Sequence, residues 1–149
     1  MTQSKTKSDS TDQQNDKQPV FQRINHIALA VRDLEAAIEL FQNKLGFELT
    51  RRRQKNDMLA ADMNCNGIYF VLCQGMTPIS EFSRIVNDHG IGLAHIALDV
   101  EDVDAAVTTL IKQGVEFETG IIREVGVTHA FSSRDEHTGL SVEVIRCGE

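Results

Sequence analysis

The 149-residue sequence contains no tryptophan, one tyrosine, two prolines and three cysteines, none of which form a CxxC pair. An odd number of cysteines is atypical of a disulfide scaffold and favours a reduced, cytoplasmic protein. No apolar run approaches the roughly 18 residues that a membrane-spanning helix needs. Lys and Arg are outnumbered 15 to 22 by Asp and Glu, giving a net charge of −7, which argues against a nucleic-acid-binding surface. We therefore expect neither a nucleic-acid nor a membrane partner.

The N-terminal segment has almost no core-forming residues. After Met1, the first large apolar residue is Val20, and Ser, Thr, Gln, Lys and Asp dominate the stretch between them. The segment has no apolar h-region, so we do not expect it to act as a signal peptide. Because it cannot bury enough surface to offset the entropy of ordering, we predict a disordered tail over residues 1–20. The remainder, residues 21–149, fits one domain.

This domain contains an internal repeat. Residues 24–38, INHIALAVRDLEAAI, and residues 93–107, LAHIALDVEDVDAAV, are identical at eight of fifteen positions with a constant offset of 69. In each copy, alternation of aliphatic and small or polar residues predicts a strand, and a 3.6-residue apolar stripe then predicts a helix. We predict two βαβββ modules, at about 22–75 and about 92–146, joined by a helix at about 78–89.

Local signals bound the helices and strands within each module. Asp33 and Asp102 are the predicted N-caps of the two repeated helices, and Gly46 and Gly114 are the predicted stops. Turn residues separate the strand-like stretches that follow each helix. The predicted strands are Phe47–Arg52, Met58–Met63 and Ile68–Cys73 in the first module, and Val115–Glu118, Val127–Ser133 and Leu140–Ile145 in the second.

Three polar residues lie opposite the aliphatic faces of the predicted strands. His26 and His95 occupy the same position in the two copies, and Glu143 lies in the last strand, with valines on the opposite face. A single histidine on a strand is more often a core or rim residue than a ligand. Two at equivalent positions, together with a carboxylate inside a strand, favour a metal site, since a buried carboxylate needs a cation partner. Two imidazoles and one carboxylate are the composition of a facial triad.

The sequence closely resembles the vicinal oxygen chelate superfamily, which includes glyoxalase I, methylmalonyl-CoA epimerase, extradiol dioxygenases, 4-hydroxyphenylpyruvate dioxygenase and fosfomycin and bleomycin resistance proteins. The matching stretches are INHIALAVRDLEAAIELFQNKLGFEL, DHGIGLAHIALDVEDVDAAVTTLIKQGVEF and TGLSVEVI, which frame residues 24–146. The resemblance implies an α+β fold in which paired βαβββ modules form a curled sheet cup. It also implies a divalent metal at the bottom of the cup, bound by His26, His95 and Glu143. We expect a homodimer.

The sequence departs from the pattern of the epimerase and the lyase at the position of their fourth metal ligand. The epimerase and the lyase have Glu or Gln on the last strand of the first module. Aligning the modules on their turn glycines places Val71 opposite Glu143, and a shift of one strand step would place Tyr69 at the ligand position instead. Valine cannot bind a metal. Three protein ligands would leave about three coordination positions open, which suits substrate chelation and O₂ binding at Fe(II).

The leading hypothesis from the sequence is a non-haem Fe(II) dioxygenase whose small substrate chelates the metal through vicinal oxygens; Zn, Mn, Co and Ni are alternatives to iron. A metal-dependent epimerase or glyoxalase I-type lyase is the second hypothesis, and a resistance or binding protein is the third. Tyr69 is a candidate hydrogen-bond donor to an oxyanion, and Gln74 is a candidate for orienting the substrate. His129 and His137 are interpreted as non-ligands.

Overall fold

A computed structural model describes residues 20–148, so the predicted tail lies outside the described residues except for Val20. The described range contains eight strands: β1 (Arg23–Ala30), β2 (Glu48–Lys55), β3 (Met58–Cys65), β4 (Ile68–Gly75), β5 (Gly92–Asp99), β6 (Ile122–Glu124), β7 (Val127–Phe131) and β8 (Val142–Cys147). Its helices are α1 (Leu34–Ile38), which continues as a π-helical segment (Glu39–Lys44), α2 (Glu81–His89) and α3 (Val103–Lys112). None of these helices has the length and apolarity that crossing a bilayer requires.

All eight strands belong to one sheet in the order β2-β3-β4-β1-β5-β8-β7-β6. Strands β1 and β5 pair antiparallel at the centre, and each pairs in parallel with the last strand of its own module, β4 or β8. The sheet curls until its two edge strands approach, and Lys55 Nζ on β2 lies 3.1 Å from Glu124 Oε1 on β6. The predicted α+β fold of paired βαβββ modules is therefore confirmed.

The repeated helices begin where the sequence predicts. Asp33 accepts a hydrogen bond from the Ala36 backbone N–H at 3.1 Å, and Asp102 accepts one from the Ala105 backbone N–H at 3.1 Å. Both aspartates thus satisfy an N–H that the first turn of a helix leaves unpaired. The first helix departs from expectation in its second half, which widens into the π-helical segment before Gly46.

The predicted strand Val115–Glu118 is wrong. Phe117 contributes only an isolated bridge to Ser132, and the first strand after α3 is Ile122–Glu124. The backbone N–H groups of Glu118 and Thr119 both donate to the Phe131 carbonyl, so two residues oppose one and the ladder does not continue. A pattern of alternating side chains cannot reveal such a local break in pairing.

The two faces of the sheet are packed differently. Helices α1 and α3 cover the convex face, where the buried side chains are Leu34, Ile38, Ala61, Met63 and Leu72 in the first half, and Val100, Val103, Ala106, Leu110 and Val144 in the second. At one end of the concave face, Phe82 and Val86 of α2 pack against small buried residues of the sheet. These small residues are Ala28, Ala30, Ala60 and Ala94. Because alanine fills little space, the rest of the concave face is left open as a cavity.

Candidate functional site

Three side chains from three adjacent central strands converge on the concave face: His26 on β1, His95 on β5 and Glu143 on β8. Glu143 Oε1 lies 3.5 Å from His26 Nε2 and 3.1 Å from His95 Nε2. One ligand atom from each residue can be chosen so that all three lie within 4.8 Å of one another. The residues that the sequence singled out are thus brought together by the parallel β5–β8 pairing and the antiparallel β1–β5 pairing.

Burial and hydrogen bonding set the charge states of this cluster. The Glu143 side chain is only 6% exposed. Burial alone would raise the pKa of Glu143, but hydrogen bonds from His129 and His95 outweigh it and lower the pKa to about 2. Desolvation lowers the pKa of His26, although the Glu143 carboxylate opposes the shift. An ionised carboxylate beside a neutral imidazole is the state in which these groups bind a metal.

Asn25 supports His26 from behind. His26 Nδ1 lies 2.7 Å from Asn25 Oδ1, and the tautomer in which Nδ1–H donates to that oxygen leaves the Nε2 lone pair free toward the cavity. The two imidazole nitrogens and the carboxylate oxygen form a donor set that suits Zn, Fe, Co, Ni or Mn. The residues present therefore fit a divalent cation.

His129 on β7 lies behind Glu143. His129 Nδ1–H donates to Glu143 Oε2 at 2.7 Å, and this hydrogen bond raises the pKa of His129. Its other ring nitrogen, Nε2, lies 3.3 Å from Glu124 Oε1 without the alignment of a hydrogen bond. The sequence reasoning set His129 aside as a non-ligand and missed its contact with the candidate site. No signal in the sequence could have revealed this contact, because it depends on the β7–β8 register, in which Phe131, two residues after His129, pairs with Glu143.

The cavity over this cluster has a volume of about 820 Å³, within the usual range for a small-molecule site. Tyr69 is half-buried and lines the cavity, on the inward face that the sequence predicted. Gln74 lies on the opposite face of β4, where its Oε1 accepts a hydrogen bond from the Leu34 backbone N–H at 2.7 Å. This position does not support the hypothesis that Gln74 orients substrate. The physical reason is that β4 continues to Gly75, so strand alternation turns Gln74 toward α1.

The strand register identifies the residue equivalent to Glu143 in the first module. Val71 pairs with Ala28, and Glu143 pairs with Ala97, which lies 69 residues after Ala28, the repeat offset. Val71 therefore occupies the equivalent position, as the glycine-based alignment predicts, and Tyr69 does not. The fourth side of the cluster is apolar.

An ion pair lies on the wall of the cavity formed by the first module. Asp62 on β3 pairs in register with Val71, and its Oδ1 lies 2.5 Å from Arg53 Nη2 on β2. The two side chains are 18% and 27% exposed, respectively, and both line the cavity. Asp62 is thus a cavity carboxylate that makes no hydrogen bond or ion pair with the described residues His26, His95 and Glu143.

The chain is similar to known proteins in sequence and in fold. Residues 23–144 match the profile of the Glyoxalase/Bleomycin resistance protein/Dioxygenase superfamily. The uncharacterized protein YwkD of Bacillus subtilis is 30% identical over 97 residues, covering 64% of this chain and 74% of that protein. The ethylmalonyl-CoA/methylmalonyl-CoA epimerase of Cereibacter sphaeroides is 34% identical over 101 residues, covering 62% and 71%. The crystal structure of methylmalonyl-CoA epimerase from Mycobacterium tuberculosis has the same fold, with a TM-score of 0.76, 21% identity and coverage of 87% and 91%.

Proposed function

Because the chain belongs to the Glyoxalase/Bleomycin resistance protein/Dioxygenase superfamily, we propose that it is a metal-dependent enzyme that transfers a proton at a carbon next to a carbonyl group. The observation that carries the proposal is the convergence of His26, His95 and Glu143 beneath an open cavity. Similarity to an epimerase favours this epimerase or lyase chemistry over the Fe(II) dioxygenase that ranked first on sequence alone. The substrate is a small molecule that presents two vicinal oxygens.

His26, His95 and Glu143 would hold the cation, and a bound divalent metal supplies a Lewis acid that polarises the substrate carbonyl. The protein's part is to fix these three donors from rigid central strands and to leave the side of the cavity next to Val71 free of ligands. Asn25 and His129 orient His26 and Glu143 through their 2.7 Å contacts.

Asp62 is the proposed proton acceptor. Among the described residues that line the cavity, four carboxylates lie outside the cluster, and three of these are exposed whereas Asp62 is half-buried. The carboxylate would take the proton from the substrate carbon while the electron pair of the C–H bond moves toward the carbonyl oxygen. Tyr69, two residues before Val71 on β4, is the proposed donor that returns a proton. As this proton is added, the electron pair returns from the oxygen to the carbon; solvent would then take the proton from Asp62 and reprotonate Tyr69, so no redox partner is needed.

The test uses purified full-length protein stripped of metal and reloaded with Co²⁺ or Mn²⁺. We expect one metal per chain and exchange of the α-proton of methylmalonyl-CoA, or of related α-acidic thioesters and ketones, for deuterium in D₂O, measured by mass spectrometry. His26→Ala, His95→Ala and Glu143→Ala should each lose metal and exchange. Asp62→Asn should lose exchange and keep the metal. Full metal occupancy in His26→Ala/His95→Ala would overturn the assignment of the ligands.

A dioxygenase is the second candidate, because Val71 leaves one side of the cluster without a protein donor. If this candidate is right, the Fe(II)-loaded protein should react with nitric oxide and give a high-spin iron–nitrosyl EPR signal, and it should consume O₂ with a catechol-type substrate. Absence of the nitrosyl signal, together with α-proton exchange by the Co²⁺ protein, would reject the dioxygenase in favour of proton transfer.

A further inference from the structure

Two consecutive arginines on β2 use their guanidinium groups differently. Arg52 lies on the convex side and binds Glu35 of α1 through two hydrogen bonds, from Nη1 at 2.6 Å and from Nη2 at 3.0 Å. Arg53 lies in the cavity and binds Asp62 through Nη2 alone. Paired, two-point contact is the strong geometry for arginine and a carboxylate. Arg52 reaches that geometry on the outside of the protein, whereas Arg53 has donors left over inside the cavity.

The unused donors of Arg53 include a buried one. Its Nε atom is shielded from solvent and has no hydrogen-bond acceptor within residues 20–148. Buried polar groups without a partner are rare, because losing hydration without a replacement is unfavourable. Arg53 also lines the same cavity as His26, His95 and Glu143. Arg53 therefore combines unpaired guanidinium donors with a position on the wall of the cavity that holds the candidate metal ligands.

We infer that Arg53 binds a carboxylate of the substrate, while the two vicinal oxygens of the same molecule lie at His26, His95 and Glu143. This inference rests on the proposed function and narrows its substrate class to carboxylic acids that also chelate a metal. A planar guanidinium fork matches a carboxylate. Asp62 and Glu143 are both anionic and both line the cavity, so they disfavour a doubly charged phosphate at this point more than a singly charged carboxylate.

The test measures binding rather than activity. The Co²⁺-loaded full chain is titrated with a series of monohydroxamates of malonic, succinic and glutaric acids, which present two vicinal oxygens and one carboxylate at increasing distance. Each is compared with its methyl ester, which has the same chelating group and no charge. The change in the visible Co²⁺ spectrum reports binding. For at least one chain length, we expect the acid to bind at least tenfold more tightly than its ester.

Arg53→Gln should abolish this preference for the acid while leaving Co²⁺ affinity and ester binding nearly unchanged. Arg52→Gln is the matched control, because it removes the same charge one residue away on the other face of β2, and it should keep the preference. Arg53→Lys keeps the charge but not the fork, so it should retain part of the preference and serves if Arg53→Gln does not fold.

The outcomes separate the two proposals. A wild-type protein that binds Co²⁺ yet prefers the acid at no chain length would overturn the assignment of Arg53 and leave the metal site standing. The same follows if Arg53→Gln or Arg53→Lys keeps the full preference. A wild-type protein that binds no divalent metal would overturn the proposed function itself, and with it the substrate class.

Discussion

Val71 and Glu143 occupy equivalent positions in the two halves of the sheet, but one is an aliphatic side chain and the other a carboxylate. Each pairs with an alanine of the adjacent central strand, Ala28 or Ala97, and both line the same cavity. The two halves of the sheet therefore have equivalent backbone pairings at this position but side chains of different chemistry. The consequence is a cluster with three potential protein ligands and an apolar fourth side.

Val71→Glu is expected to add a fourth ligand. Val71 is 7% exposed, so a carboxylate there is costly without a cation, and the melting temperature of the metal-free variant should fall by several degrees. Addition of Mn²⁺ or Co²⁺ should restore the melting temperature and give at least tenfold tighter metal binding than in the wild type. Differential scanning calorimetry and chelator competition measure both effects.

Tyr69→Glu is the control for this prediction. Tyr69 lies on the same strand and face as Val71 but pairs with Asn64 one step further from the cluster position. It should gain no metal affinity. Equal tightening in both variants would show that the register does not determine which residue reaches the metal.

The sequence contained enough information to predict the architecture and the main cluster. The internal repeat predicts two equivalent modules, and equivalence by itself aligns His26 with His95, because the same strand position faces the same side in both copies. Glu143 stood out because a carboxylate interrupts an aliphatic strand. These signals are local or periodic, so a single sequence is enough to show them.

The remaining contacts of the site join residues that are distant in sequence through pairings that periodicity does not encode. His129 reaches Glu143 only because β7 and β8 pair in one register, and Arg53 reaches Asp62 across the β2–β3 hairpin, diagonal to the backbone pair Arg53–Ala60. The irregular stretch after α3 could not be predicted either. There, one carbonyl accepts hydrogen bonds from two backbone N–H groups, and the alternation of side chains in the sequence does not reveal this.

His129→Gln is expected to weaken metal binding without removing a ligand. The imidazole holds Glu143 Oε2 at 2.7 Å, and loss of such an orienting contact typically costs about 10- to 100-fold in metal affinity. Isothermal titration with Zn²⁺ or Co²⁺ measures the change. His137→Gln is the matched control, because His137 is 83% exposed beside Glu136 and should leave affinity unchanged. Unchanged affinity in His129→Gln would mean that Glu143 needs no support from β7.

The three cysteines are expected to differ in reactivity. Burial raises the pKa of Cys73 to about 12, so at pH 8 only about one part in ten thousand of its thiol is ionised. Cys65 and Cys147 are both exposed, but partial desolvation raises the pKa of Cys147. Iodoacetamide at pH 8 should label Cys65 first, Cys147 more slowly and Cys73 only after unfolding in urea. Peptide mass spectrometry would contradict this if Cys73 were labelled in the folded protein as fast as Cys65.

The metal-free protein should lose stability in acid through Glu143. Its pKa is lowered from 4.5 to about 2, so the stabilisation is fully present above pH 4.5 and is lost as the pH falls from 4.5 toward 2. A shift of this size corresponds to a loss on the order of 3 kcal/mol in the free energy of unfolding.

His129 makes the stability of the folded protein depend on pH above 6.5. Its pKa is raised above 6.5 by the hydrogen bond to Glu143, so its contribution is present below pH 6.5 and is lost as the pH rises through the folded-state value. Glu143→Gln removes the negative charge that interacts with His129. The free energy of unfolding in urea, measured on metal-free protein, should therefore differ most between the wild type and Glu143→Gln from about pH 4.5 to 6.5, and the difference should become smaller at lower and at higher pH. A difference that stays constant from pH 3 to 9 would show that the carboxylate of Glu143 does not interact with His129 in the folded protein.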